Sequence, residues 1–201
     1  MDNHLSKAEK TRAFIIERSA PVFNKKGYGN TSLNDIMEAT GLSKGAIYGN
    51  FADRNEVAIA VFNYNVALLE ERLRDAMAGK STAYEKLLSF FGYYRNNWRK
   101  MSDHGGCPVQ NASIEADDHV DYMKIHVQQT VRKWVNGISK LIAEGQAMGE
   151  FRTEADPVKY AYIILTSLEG AIMLFKIMNN QTILKDALDR IIHTIDTELK
   201  I

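Results

Sequence analysis

The chain is short of three things: it has one cysteine and three prolines in 201 residues, and it carries no net charge. A lone cysteine excludes an intrachain disulfide framework and any multi-cysteine zinc or iron–sulfur centre. Scarce proline goes with an absence of sustained apolar/polar alternation, so strands are not expected and the periodicity is helical throughout. Long hydrophobic runs are missing too. The longest uncharged run, residues 57–69, is interrupted by Asn63 and Asn65. It falls short of the ~18–20 apolar residues of a spanning helix. The opening MDNHLSKAEKTR is polar, without the apolar core of a signal peptide. A soluble, cytoplasmic chain with no membrane partner is therefore expected. Lysine plus arginine total 25 and aspartate plus glutamate total 25. That balance argues at first sight against a nucleic-acid partner.

What is present is ample apolar material. Hydrophobic residues make up 45% of the chain, enough for a packed core rather than disorder. The reading is all-α with about nine helices, the first three short and the later ones long. The first spans residues 6–26, with Lys25 and Lys26 in its last turn, Gly27 after it and Pro21 inside it. A second starts after Thr31 or Ser32 and stops at Gly41, and a third covers 43–51. Asp53 with Glu56 reads as a capping box opening a fourth helix to about 78, and Thr82 with Glu85 opens a fifth. A loop is expected at 101–108, a short helix at 109–116 and a long one at 118–148. Asp156-Pro157 reads as an N-cap followed by proline at the first helical position, opening a helix to about 178. The last runs from 182 to the end.

The most informative stretch is 31–51. Two short helices are separated by a tight turn at Thr40-Gly41-Leu42, with Ile36, Leu42, Ile47 and Phe51 as a buried seam and Ala39 small where the helices approach. This is a helix-turn-helix arrangement, whose second helix enters the DNA major groove. Small or polar residues line the outer face of that helix: Ser43, Lys44, Gly45, Ala46, Tyr48, Gly49 and Asn50. Gly45 and Gly49 each cost roughly 1 kcal/mol of helix propensity against alanine. Close approach to another surface explains that cost. An ordinary helical hairpin with a glycine turn is the competing reading.

The order and spacing of Phe23, Gly27, Tyr28, Thr31, Ile36, Ala39, Gly41, Ser43, Gly45, Ile47, Tyr48, Phe51 and Arg54 resembles the N-terminal domain of the TetR family of bacterial transcriptional regulators. The rest of the chain is similar in length and helical pattern to that family's C-terminal domain. The resemblance implies a DNA-binding domain at 1–54 and a ligand-binding and dimerisation domain at 55–201. It places Thr31, Ser43 and Tyr48 on phosphates, with Ser32 among the DNA-binding residues. Arg54 falls where the family often has a phosphate-binding lysine. Lys44, Gly45, Ala46 and Gly49 would face base edges, Lys44 donating to guanine and Ala46 touching a thymine methyl. Asn50 departs from the histidine common there, while keeping the ability to reach a phosphate. Charge divides accordingly. Residues 1–54 hold eight basic and six acidic side chains, net +2, and the remainder is −2. Lys7, Lys10 and Arg12 could form a positive arm, although a solvated helix start explains them equally well.

The implied function is a ligand-responsive DNA-binding regulator, a homodimeric repressor released from a palindromic operator by a small molecule. Residues 157–178 carry only Lys159, Glu169 and Lys176 as charges. A helix apolar nearly all round is buried on more than one side. With the last helix it reads as a dimer-forming pair, through Ser167, Gly170, Ala171, Leu174, Leu184, Leu188, Ile191 and Ile195. The effector cavity is expected among Tyr94, Trp98, Asn111, Glu115, Tyr122, His126, Trp134, Tyr162 and Thr166, most of which serve equally well as core or surface. The fourth helix, common to both domains, is the natural lever. Cys107, in Gly105-Gly106-Cys107-Pro108, sits at a helix start that would lower its pKa. It is either a packing residue or, as an alternative, an electrophile or redox sensor and a further ligand-site candidate. His119 and His126 with Asp117, Asp118 and Asp121 read as a solvated helix start, so no metal and no cofactor is expected. No nucleophile–base pair, glycine-rich phosphate loop or paired-carboxylate motif stands out. An enzyme, or a helical interaction module without DNA binding, is the alternative of a different class.

Overall fold

The computed structural model describes residues 6–201, so the polar start MDNHL lies outside the described residues. Among the described residues there are nine α-helices and no strand. They are α1 (Lys7–Lys26), α2 (Leu33–Thr40), α3 (Lys44–Tyr48), α4 (Arg54–Met77), α5 (Ala83–Asp103), α6 (Pro108–Asp118), α7 (Asp121–Ala147), α8 (Pro157–Met178) and α9 (Gln181–Thr194).

Side-chain caps place most of the helix starts. Ser6 with Glu9, Ser32 with Asp35 and Thr82 with Glu85 form reciprocal capping boxes, so Ser32 rather than Thr31 opens α2. Asp156 accepts from the Val158 and Lys159 N–H groups, with Pro157 behind it. The box expected at Asp53 is only half formed. Its Oδ1 accepts from Glu56 N, but the Glu56 carboxylate reaches back to the Ala52 N–H instead. Gly41 ends α2 in the left-handed region at φ 69°, where a side chain would be strained.

Three boundaries differ from expectation. Helix α3 is only five residues long. Helix α5 continues to Asp103, and the loop His104–Cys107 follows, with Gly105 and Gly106 at φ 96° and 89°. The last helix does not run to the end. It passes into a π-helical turn, Ile195–Leu199. Leu199 O then accepts from Arg152 N at 2.7 Å, and Ile201 N donates to Glu150 O at 3.2 Å.

The contacts divide into two compact units. One holds the chain up to Leu69 together with Pro108–Val127, and the other holds Glu70–Cys107 and Gln128–Ile201. The expected DNA-binding segment lies within the first unit, which also takes in α4 as far as Leu69, all of α6 and the first turns of α7. Its core is built on Ile15, Phe23, Tyr28, Ile36, Ile47 and Phe62, all fully buried. Tyr28 is the centre of that packing, with ring centroids 5.9 Å from Phe23 and 5.8 Å from Phe62. The second unit is built around Leu87, Phe91, Ile142, Ile172, Phe175 and Leu188, each at 2% exposure or less.

Helix α8 corrects the expectation about long apolar segments. It is long and apolar enough to cross a membrane by length and composition. Counting uncharged runs missed it, because three charges interrupt the run while leaving its average apolar. Ala161, Ile164, Leu168, Ile172 and Phe175 fill the core from one arc of this helix. Val158, Tyr162, Met173, Leu174, Ile177 and Met178 stay exposed on the rest.

Candidate nucleic-acid interface and ligand cavity

The helix-turn-helix is held from inside by Ile36, Ile47 and Phe51, which are at most 3% exposed, with Leu42 half-buried beside them. Thr40 locks the turn, its Oγ1 donating to Ile36 O at 2.7 Å and accepting from Leu42 N at 3.3 Å. Ser43 caps α3 by accepting from Ala46 N. This leaves Ser43, Lys44, Gly45 and Gly49 exposed, and Ala46, Tyr48 and Asn50 half-buried. A Cβ built on Gly45 meets nothing within 4 Å, so the outer face of α3 is open. Lys44 Nζ lies 5.8 Å from the centre of the Tyr48 ring, so the two point the same way. Asn50 is partly committed, its side-chain amide donating to Ala46 O at 2.9 Å.

Several residues expected at the interface face inward. Thr31 is 1% exposed and its hydroxyl donates to Gly27 O at 2.7 Å. Ser32 is exposed, but its hydroxyl serves Asp35. Bonds from Lys26 and the Ser32 hydroxyl and N–H hold that Asp35 carboxyl down at about 2. Arg54 is no free phosphate donor. Its guanidinium bonds Tyr28 O, Thr31 O at 2.7 Å and the Tyr122 hydroxyl at 2.7 Å. Arg12 likewise turns inward, bonding Asn50 O and Glu56 and stacking 4.0 Å from the Phe51 ring. An arginine fork packed against backbone carbonyls is a brace.

Three expected ligand residues also belong to this bracing. Asn111 donates to Asn24 O at 2.9 Å. Tyr122 donates to Tyr28 O at 3.1 Å. The Glu115 carboxylate accepts from the N–H groups of Tyr28 and Gly29 at 2.9 and 2.6 Å. A Cβ on Gly27 would come within 2.8 Å of that carboxylate, so the turn 27–30 is shaped around it. All three side chains lie in the first unit, and none of them lines the α4–α5–α7–α8 cavity described next. His126 is half-buried in the same unit.

The second unit holds an apolar cavity of about 370 Å³ between α4, α5, α7 and α8. Of the expected residues, Tyr94 and Trp134 line it. Leu73, Met77, Leu87, Phe90, Ile138 and Leu165 supply most of the remaining wall. Burial pushes the Tyr94 hydroxyl well above its ordinary range. At the mouth the Glu70 carboxylate accepts from Trp134 Nε1 at 3.0 Å and pairs with Lys133 at 2.5 Å. Glu70, Arg74 and Lys133 were missed by sequence reasoning. The available signal was Glu70, Leu73, Arg74 and Met77 at helical spacing on one face of α4. Trp98 lines a separate pocket of about 280 Å³ with Arg95 and Lys185. Tyr162 and Thr166 are exposed on α8, and Thr166 bonds its own helix at Tyr162 O. These three are corrected as cavity residues.

Cys107 is 2% exposed, immediately before α6, and its Sγ–H donates to Glu169 Oε1 at 3.2 Å. Burial raises the Glu169 carboxyl to about 7, against a smaller lowering by that bond. A reactive thiol is accessible and set beside positive charge. Cys107 is buried and bonded to a carboxyl group, so its setting offers no specific support for the sensor reading. Of the expected interface set, Ser167, Gly170 and Leu174 are exposed or half-buried. Ala171, Leu184, Leu188, Ile191 and Ile195 are at most 5% exposed within the chain itself and have no side chain left to offer a partner. The wide stripe on α9 is consumed by α8 and α5.

Known proteins carry the same two parts. Residues 15–61 match the profile of the bacterial regulatory proteins, tetR family. Residues 83–191 match the tetracyclin repressor-like C-terminal domain. The crystal structure of a TetR-family transcriptional regulator from Cytophaga hutchinsonii is 35% identical, with a TM-score of 0.88, over 96% of this chain and 97% of that one. The chain belongs to the TetR family. A TetR transcriptional regulator from Chloroflexus aurantiacus is 32% identical with a TM-score of 0.92, over 98% of this chain and all of that one. The transcriptional repressor DhaR of Mycobacterium sp. strain GP1 is 25% identical over 171 residues, 85% of this chain and 84% of DhaR. As a TetR-family protein, the chain is a ligand-responsive, DNA-binding transcriptional regulator.

Proposed function

We propose that this TetR-family regulator is a cytoplasmic homodimeric repressor that leaves a palindromic operator when a small molecule enters the α4–α5–α7–α8 cavity. Residues 1–54 carry the DNA contact and the remainder carries effector binding and dimerisation. The observation that carries the reading is the open face of α3, where Ser43, Lys44 and Gly45 are exposed on a helix clamped from behind by Ile47. Lys44 and Tyr48 are the principal contacts in this reading, one to a base edge and one to a phosphate. Thr31 and Arg54 act behind them by bracing the turn before α2. A dimer supplies the second recognition helix that a palindrome requires, with half-sites about one DNA turn (~34–36 Å) apart. The exposed apolar arc of α8, from Val158 and Tyr162 to Leu174 and Ile177, supports a partner there, since exposed apolar patches of this kind mark association surfaces. Helices α4 and α7 each begin in one unit and end in the other. They are the segments through which effector and DNA binding would be coupled, and that coupling is reciprocal.

The test is selection of duplexes from a random pool by the purified protein, followed by a salt titration on the best sequence. A two-fold symmetric site is expected, with affinity falling linearly in log–log salt. Recovery of no symmetric sequence, with a protein that runs as a folded monomer, would overturn the proposal.

A further inference from the structure

Beside the cavity lies an open depression whose charge is one-sided. The two share Arg74, Met77, Gly137 and Leu141 in their walls, so they adjoin. The inner part is apolar, closed by Trp134, Phe90 and Leu165. The outer part carries Arg74, Lys80, Lys86 and Lys140 against Glu144. Glu144 lies 4.0 Å from Lys140 on the next turn of the same helix. Glu70, at the inner mouth, is already held by Lys133 and the Trp134 N–H. Glu85, close to Lys80, is committed to the N–H groups of Ser81 and Thr82. Over the joined rim, Arg74, Lys80, Lys86, Lys133 and Lys140 face Glu70 and Glu144, a net of +3. The carboxylates are paired or capped. Arg74 and Lys86 have no ion pair among the described residues.

We infer that the effector is an anionic amphiphile, with an apolar tail filling the inner cavity and a phosphate-bearing head lying across Arg74, Lys80 and Lys86. This rests on the proposal that the cavity is the effector site, and it names the class of molecule that site takes. A neutral apolar ligand would leave the basic rim unused. A cationic amphiphile would meet the positive rim of Arg74, Lys80 and Lys86, whose neighbouring carboxylates are already paired or capped. The inner volume of about 370 Å³ lies at the lower end of ligand cavities, ~300–1,000 Å³. It suits a tail of one unbranched chain or a small ring system, with the head outside.

The experiment is calorimetric titration of the full-length protein with dodecyl phosphate, dodecanol and dodecyltrimethylammonium, each below its micelle concentration, and with inorganic phosphate. Dodecyl phosphate is expected to bind at least about tenfold more tightly than dodecanol, the sum of several partly screened charge contacts. Inorganic phosphate alone gives no measurable heat. In the Lys80→Ala/Lys86→Ala double variant that preference falls to about threefold or less while dodecanol binds as before. Gly137 lines both depressions, and a Cβ there meets nothing within 4 Å. Gly137→Phe therefore starts into open space at the shared wall, and as a plug it should weaken both dodecyl phosphate and dodecanol by about tenfold or more, with circular dichroism checking that the variant is folded. Equal binding of dodecanol and dodecyl phosphate, or tighter binding of the ammonium compound, overturns the anionic class. If Gly137→Phe still blocks those ligands, the cavity survives as the effector site. Binding that Gly137→Phe leaves untouched, in a protein whose circular dichroism is unchanged, overturns the cavity itself and the inference with it.

Discussion

Replacing Glu115 by alanine should loosen the turn that precedes the helix-turn-helix. Its carboxylate accepts from two backbone N–H groups, Tyr28 at 2.9 Å and Gly29 at 2.6 Å, across 86–87 residues of sequence. A hydrogen bond to a charged group contributes about 1.5–3 kcal/mol net when sheltered. Glu115 is half-buried and Gly29 exposed, so water can replace part of what is lost. About 2 kcal/mol for the pair is a reasonable magnitude. That corresponds to roughly a 30-fold loss of protection in amide exchange. It also corresponds to about 4–8 °C in melting temperature for a chain of this size. Exchange is the sharper assay, because it reads the Tyr28 and Gly29 amides individually. Both tryptophans, Trp98 and Trp134, lie in the other unit, so fluorescence would not report on this turn. The expected result is rapid exchange at Tyr28 and Gly29 with unchanged protection along α8. If both amides keep their protection in Glu115→Ala, the carboxylate is not what holds this turn and the bracing role fails.

Other outcomes follow from the same structure. Burial holds the Glu169 carboxyl at about 7, against an ordinary value of 4.5. The folded state therefore binds the extra proton between those values, and stability falls as pH rises from about 4.5 to about 7. Glu169→Gln should flatten that slope and stabilise the protein at pH 8 by up to about 3 kcal/mol, measured by urea unfolding at several pH values. The Ser19 hydroxyl is buried with no partner among the described residues, so Ser19→Ala should raise stability by about 1 kcal/mol in the same assay. Leu174→Glu, on the exposed arc of α8, should give a folded monomer by light scattering. Leu188→Ala, at 0% exposure inside the chain, should instead cost about 2–5 kcal/mol of stability.

What was legible in the sequence was local. Ser32, Ser43, Thr82 and Asp156 announce their helices because a cap acts within three residues. Gly41 and the Ile36–Ile47 seam announce the turn because a left-handed residue and a short-range apolar pattern are both sequence-near properties. The roles that changed depend on distant partners. Arg54 read as a phosphate donor until Tyr28, Thr31 and Tyr122 claimed its guanidinium. Glu115, Asn111 and Tyr122 read as cavity residues because a polar side chain among apolar ones signals function equally well when it braces a backbone. The α9 stripe read as an interface because periodicity gives the width of an apolar face and not which neighbour covers it. The cavity mouth at Glu70, Arg74 and Lys133 went unseen for the same reason: α4 and α7 meet there across more than sixty positions.

The central claim is that α3 reads DNA through Lys44 and Tyr48. The most direct measurement is binding of the Lys44→Ala/Tyr48→Ala variant to the selected duplex at fixed salt, with dimerisation followed in parallel. The account predicts a loss of at least about 100-fold in specific affinity, near 3 kcal/mol, with the oligomeric state unchanged. Affinity within about twofold of the unaltered protein, at the same salt and in the same assembly, would contradict it.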